Sequence, residues 1–297
     1  MTSPSPLERL LVWYAREFPV RRGKLRVVEG LWRLASGSGD PNRMSTLVHG
    51  GFEMPCNLNW MLQRQYYFFG SYFQEEALLK CWERTAKNAK IIFDVGANAG
   101  IYSLAAAAAE PGAIVHAFEP TPEIAERLVA TAQLNCLGDR LRVHDLAVGA
   151  RAGYAALRRY SGEAGTNEGM NYVHHRLPVD ESCTAEERVR MIALDSFCAE
   201  KSIERVDLMK LDVQGQEYSV LLGAQDLIAA GTIGTLFMEL NWSPKGEKSA
   251  ASDSIRLLAE ARYLFAEPGQ QLQWREAGDW LRSLDDVIAR HPDSMNG

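Results

Sequence analysis

From residue 91 onward the chain reads as an α/β protein with a parallel, doubly wound sheet, and three observations carry that expectation. Apolar runs of strand length alternate with runs of helical spacing, the pattern of repeated β–α–β units. The first such strand, Ile91-Ile92-Phe93-Asp94-Val95, empties into a turn of small residues, Gly96-Ala97-Asn98-Ala99-Gly100, before a helix-compatible run from Ile101 to Ala109. Five successive strands also end in a carboxylate: Asp94, Glu119, Asp145, Asp212 and Glu239. Ligands of such sheets bind at the carboxyl ends of the strands, near the switch in strand order.

The elements follow in order. Leu7, Leu10, Leu11, Tyr14 and Phe18 share one helical face, and a second helical segment runs to about Ala35 after the basic stretch Arg21, Arg22, Lys24 and Arg26. A membrane-surface or acidic-partner patch is one reading of this extension (residues 1–40). Glu8, Glu17 and Glu29 dilute the basic face, which favours amphipathic helices packed on the core or on a second subunit. The Gly/Ser/Asp/Pro-rich segment Ser36 to Asn42 is a connector. Residues 41–90 form a lead-in of short β-like runs, the aromatic cluster Tyr66 to Phe73, and a helix from Glu75 to Lys87. The rings of Tyr66 to Phe69 read as core or as a lid, whereas Tyr72, beside Gly70, is the better candidate for the pocket.

Strands follow at 91–95, 114–118, 141–144, 206–212 and 235–239, with later β segments at 263–266 and 286–289. Helices are expected at 99–109, from Thr121 and Pro122 to about Asn135, at 194–201, through Val220 to Ile228, and at 252–262. Residues 150–193 interrupt the rhythm as an insertion around the glycine-rich loop 161–169, which reads as a lid on the acceptor side or as a surface insertion. The domain proper spans 91–297.

A chain of 297 residues, 46% apolar and 24% charged, is an ordinary globular protein. Its net charge of −6 gives no reason to expect nucleic acid as a partner. The five cysteines are odd in number and scattered without a Cys-x-x-Cys pair, against a disulfide framework or thiolate zinc site and for a reducing, cytoplasmic setting. No signal-peptide plan opens the chain and no apolar run approaches a transmembrane length.

The turn after the first strand spaces its residues Gly-x-Asn-x-Gly. Asn98 and Ile101 stand where a dinucleotide loop has its second and third glycines, which favours a ribose-bearing ligand without a pyrophosphate; S-adenosylmethionine is the first candidate. Asp94 sits where a carboxylate holds an ammonium or orients the loop. Glu119, about 20 residues beyond Gly100, stands where an acid accepts both ribose hydroxyls. Asp145 and Leu146 face an adenine edge. Asp212 and Glu239, on strands adjacent in the expected order, remain for chemistry.

The motifs Asp94-Val-Gly-Ala-Asn-Ala-Gly100, Phe118-Glu-Pro120, Leu194-Asp195 and Lys210-Leu-Asp-Val-Gln-Gly-Gln-Glu217, continued by Gly223-Ala224 and Glu239, resemble those of FkbM-type methyltransferases over roughly residues 66–291. The resemblance implies a class I, Rossmann-like fold with a mostly parallel seven-stranded sheet. It also implies binding of S-adenosylmethionine and methylation of hydroxyls of sugars or natural products. Carried over, Asp94, Gly96 and Asn98 contact the methionine end and Glu119 the ribose, with Gly100 among the cofactor-binding residues. Many relatives have an acid soon after a Gly-x-Tyr turn; here Phe73 follows Tyr72, and acids come at Glu75 and Glu76.

The expected activity is therefore O-methylation of a sugar, glycolipid or secondary metabolite, with a small molecule, glycan or peptide as acceptor. Asp212 or Glu239 takes the acceptor proton, or the pair holds Mg²⁺. His175 is the other candidate base; adjacent His174 points the opposite way on an extended segment. His116 and His144 read as ordinary buried histidines. N-methylation of a peptide or amide nitrogen is the alternative, ahead of a nicotinamide-dependent oxidoreductase or a non-catalytic cofactor-binding protein. The N-terminal helices offer a homodimer surface.

Overall fold

A computed structural model describes residues 5–18, 23–36, 44–72, 75–160, 172–174, 183–240 and 250–295. The connector 37–43, loop 161–169, His175 and Phe73 lie outside these residues, as does the segment after Leu240.

The N-terminal part contains α1 (Pro6–Glu17), α2 (Lys24–Ser36), the hairpin of β1 (Met44–His49) and β2 (Phe52–Asn57), α3 (Met61–Phe69) and α4 (Glu76–Ala86). Helix α1 starts where Ser5 and Glu8 satisfy each other's free backbone N–H groups, with Pro6 at the first turn. Leu11, Ala15, Val28 and Trp32 of α1 and α2 are buried in the same core as the sheet. The Arg64 guanidinium of α3 holds Glu29 of α2 at 2.8 Å, so this extension packs on the protein's own core. Tyr66, Tyr67 and Phe68 are buried in α3, the core alternative of the two readings of the aromatic cluster.

The sheet begins with β3 (Ile91–Val95), α5 (Ile101–Ala109), β4 (Ile114–Phe118), α6 (Pro122–Leu134) and β5 (Leu141–His144). An inserted sheet follows, made of β6 (Ala147–Val148), β7 (Gly153–Tyr160), β8 (Tyr172–His174) and β9 (Cys183–Ile192) in the order β6-β9-β7-β8. The main sheet resumes through α7 (Leu194–Lys201), β10 (Val206–Leu211), α8 (Glu217–Leu222), α9 (Gln225–Ala229), β11 (Ile233–Glu239), α10 (Ala250–Glu260), β12 (Leu264–Ala266) and β13 (Asp286–Arg290). Its order is β12-β13-β11-β10-β3-β4-β5, parallel except for β13, which runs against both of its neighbours. The expected seven-stranded, doubly wound sheet is present, and strand order reverses between β3 and β10. That is where a crevice opens outside the carboxyl ends.

Both faces of the sheet are covered, and alternation assigns each side chain to a face. Ile92, Leu208, Phe237 and Ile288 share one core with α1 to α5. Phe93, Val95, Met209, Leu211, Leu236, Met238, Val287 and Ala289 belong to the other, with α7 to α10. Period two therefore sends Asp94, Lys210, Glu239 and Asp286 toward the α3–α5 face.

One expected helix is two. The run from Val220 to Ile228 breaks at Gly223, where a side chain would meet the Gly149 carbonyl oxygen at 2.1 Å. The insertion's first loop packs so closely there that the chain has to turn.

Candidate active site

The turn after β3 is built by backbone. The N–H groups of Gly96 and Ala97 both donate to the Phe118 carbonyl, at 2.9 and 3.0 Å, which ties the turn to the end of β4. Gly96 has φ +85°, and a Cβ there would lie 1.9 Å from the Asp212 carbonyl oxygen, so the loops after β3 and β10 touch only because the residue is glycine. Asn98 is also left-handed (φ 48°), and its Oδ1 accepts from Ala99 N at 2.6 Å.

Glu119 is buried beside this turn and accepts from Asn98 N at 3.0 Å through one oxygen and from Thr121 N at 2.8 Å through the other. Burial raises its carboxyl above the ordinary range, against the pull of these hydrogen bonds. Each oxygen keeps a lone pair for a further donor, the capacity a ribose diol requires. Next to it Gly96, Phe118, Pro120, Leu146, Ala147, Val148, Val213 and Gln216 line a narrow, mostly apolar crevice. The residues present thus fit a nucleoside: an acid for the sugar and an apolar slot for the base. Leu146 belongs to this slot, whereas the Asp145 side chain is exposed.

The other half is a charged cluster on the α3–α5 face. Lys210 is 5% exposed, paired in register with Asp94 of β3. Its ammonium donates to Asp212 Oδ2 at 2.7 Å and lies 4.3 Å from the centre of the Tyr102 ring. Burial disfavours that charge, but Asp212, Glu75 and Asp94 hold the ammonium above the ordinary lysine range. For Asp212 burial works against ionisation, yet Lys210 and the hydrogen bonds from Lys210 and Gln214 hold it below the usual carboxylate range. Asp94 accepts from Ser103 Oγ at 2.6 Å, and its burial raises it despite Lys210. Tyr102 OH donates to Glu75 at 2.7 Å.

Gln214, left-handed at φ 52°, donates its amide to Asp212 Oδ1 (2.9 Å) and Glu239 Oε2 (3.3 Å), so the two expected acids meet through one side chain. The buried Glu217 accepts from Val213 N and Gly215 N and closes the same loop. With Lys210 and Gln214 on both oxygens of Asp212, the Mg²⁺ expectation for the Asp212–Glu239 pair is not supported. Among the described residues no three His, Cys, Asp or Glu side chains gather as a metal site.

The structure gathers Asp94, Gly96, Asn98, Gly100 and Glu119 around the turn after β3, and Asp212 with Glu239 across Gln214. Tyr72 is half-buried against the core next to Glu75, and burial and that acid raise its phenol. Glu75 is the acid that accepts from Tyr102. His175 falls outside the described residues. His116 and His144 stack on each other, ring centres 5.2 Å apart with Nδ1 and Nε2 at 3.0 Å. Burial first, then neighbouring positive groups, push both imidazoles down to about 4; His116 is buried as expected, whereas His144 is half-buried. Lys210, Tyr102 and Asp286 join the charged cluster without being marked as site residues by the sequence pattern. A lysine in the apolar run Val206 to Leu211 was the available signal for the first. A second cleft of about 360 Å³ lies among α1, α3 and α4, where Arg16 and Lys24 already donate to backbone carbonyls.

The fold is that of an α/β protein whose doubly wound sheet opens a two-sided crevice at the switch in strand order. A family model described as the methyltransferase FkbM domain matches residues 94–265. The chain belongs to that family. It is 31% identical over 157 residues to the 31-O-demethyl-FK506 methyltransferase FkbM of Streptomyces tacrolimicus, covering 46% of this chain and 60% of that protein. It is 28% identical over 149 residues to the 2-O-methyltransferase NoeI of Sinorhizobium fredii, covering 46% and 58%. The AMB antimetabolite synthetase AmbE of Pseudomonas aeruginosa is 29% identical over 193 residues, 56% of this chain and 9% of that protein. The chain thus spans 60% or less of each of these relatives.

Proposed function

We propose that the protein transfers the methyl group of S-adenosylmethionine to a hydroxyl of a sugar, glycolipid or secondary metabolite. The observation that carries this reading is the buried Glu119, bridged to the glycine turn at the switch point and bordering an apolar slot. When bound, the cofactor supplies a methyl carbon made electrophilic by its sulfonium. Glu119 would hold the ribose hydroxyls, Leu146 the adenine, and Asp94, Gly96, Asn98, Gly100 and Tyr72 the methionine end. Asp212, kept ionised by Lys210, would face the positive end of the donor, with Glu239 toward the acceptor. The names of two relatives, both O-methyltransferases, favour oxygen over nitrogen as the nucleophile.

Positioning of acceptor and donor contributes roughly 7–11 kcal/mol in favourable cases, so a rigid cradle accounts for much of the chemistry. Calorimetry with S-adenosylmethionine, S-adenosylhomocysteine and NAD tests the donor: the first two should bind and NAD should not. Glu119→Ala should weaken S-adenosylhomocysteine by about 10- to 100-fold, since a hydrogen bond to a charged group is worth roughly 1.5–3 kcal/mol. Unchanged affinity would remove the ribose assignment. Transfer of radiolabelled methyl to 31-O-demethyl-FK506 and to a panel of methyl glycosides tests the acceptor class.

A further inference from the structure

On the face that carries the charged cluster, the carboxylates are engaged by donors. Asp94 accepts from Ser103, Asp212 from Lys210 and Gln214, Glu239 from Gln214, and Glu75 from Tyr102. Asp286 is different: it is half-buried, and no described residue donates a hydrogen bond to its carboxylate. We propose that Asp286 is the general base of this site, receiving the proton of the acceptor hydroxyl as that oxygen is methylated. This inference rests on the methyl-transfer reading above.

Its place follows from strand direction. Because β13 runs against β11, its first residue lies at the carboxyl edge of the parallel strands, in register with Glu239. Alternation from Ile288, which lies in the α1–α5 core, puts Asp286 on the face that holds Lys210 and Glu75. The groups facing it are Lys210 and Asp212 of β10 and its loop, Glu75 before α4, Tyr102 of α5, Glu239 of β11 and the adjacent Asp285. Burial, opposed by Lys210 and reinforced by Glu75, Asp212 and Asp285, pushes its carboxyl up to about 7.

A base works best when its pKa lies near the working pH and a lone pair is free. Asp212 fails on both counts, being held low and doubly hydrogen-bonded. In the step itself the acceptor oxygen forms a bond to the methyl carbon while the carbon–sulfur bond breaks. That bond's electron pair stays on sulfur, leaving a thioether. The hydroxyl proton passes to Asp286, which becomes a neutral acid and returns the proton to solvent after the product leaves.

Two measurements test this on the full chain. In protein labelled with ¹³C at the aspartate carboxyls and free of acceptor, the resonance missing from Asp286→Asn should titrate near 7. An ordinary aspartate midpoint overturns the proposal. With the hydroxyl probe that the wild type methylates, Asp286→Asn should lower kcat by about 10²–10⁴-fold, the range of a positioned base. Affinity for S-adenosylhomocysteine should stay unchanged, and Asp286→Glu should recover part of the rate. Wild-type kcat in Asp286→Asn sinks the assignment. A wild-type protein that bound no S-adenosylhomocysteine would sink the methyl-transfer reading instead, a result the calorimetry separates from the first two.

Discussion

Asp286 has a second, measurable signature in stability. Its folded carboxyl lies at about 7, well above the unfolded aspartate value of 3.8. A group raised in this way holds its proton more tightly when folded, so folding is favoured at low pH. That advantage is lost as pH climbs from the unfolded value through the folded one. Asp286→Asn removes the penalty. Its melting temperature should exceed that of the wild type above the raised pKa, with the difference shrinking in acid; calorimetric scans across that range check it. An acid that costs stability where the protein would work, while accepting from no described residue, is the pattern expected of a group kept for chemistry. Lys210 shows the opposite logic, since its charge neutralises neighbours that would otherwise repel one another.

Among the elements, the two loops at the switch point depend on glycine for different reasons. At Gly96 a side chain would strike the Asp212 carbonyl, whereas at Gly215, also left-handed at φ 91°, a Cβ meets nothing within 4 Å. Gly215→Ala should therefore cost only backbone strain, about 1–3 kcal/mol. Gly96→Ala should cost more and abolish S-adenosylhomocysteine binding by forcing β3 and β10 loops apart; chemical denaturation and calorimetry of both variants give the comparison. The same loops show what a sequence carries. Apolar runs ending in Gly96 and Gly215, and Glu119 at its nucleotide-site spacing, are local signals and were legible. The break at Gly223 was not, because its cause is the Gly149 backbone, far away in sequence. Asp286 was hidden for a similar reason: a terminal strand residue becomes a site residue only once the strand's direction is known. Lys210 could have been found, since a lysine at an inward position of a buried strand needs partners.

Across the whole molecule the site is divided between chain regions. Residues 94–148 contribute the glycine turn, Glu119 and part of the apolar crevice, and Lys210 to Glu239 with Asp286 carry the charged cluster, while α1 to α5 pack on that face. A nucleoside bound as proposed above should therefore stabilise the assembled fold rather than one part of it. S-adenosylhomocysteine at about 100 times its Kd should add about 2.7 kcal/mol, which at about 2.1 cal/mol/K of unfolding entropy per residue raises Tm by roughly 4–5 °C for a chain of this size. NAD at the same concentration should leave Tm unmoved. No helix among the described residues is long and apolar enough to cross a membrane.

The order of the edge strands also bears on how the site is assembled in time. Strand β12 does not pair with β11; β13, made later, inserts between them and bonds to both. During synthesis the β11 edge therefore waits, its backbone groups unpaired, until residues 286–290 have emerged. The strand that closes the sheet is also the one that delivers Asp286. Pairing of β13 with β11 therefore also brings Asp286 to the carboxyl edge, and a chain that has not closed its sheet lacks the base proposed above.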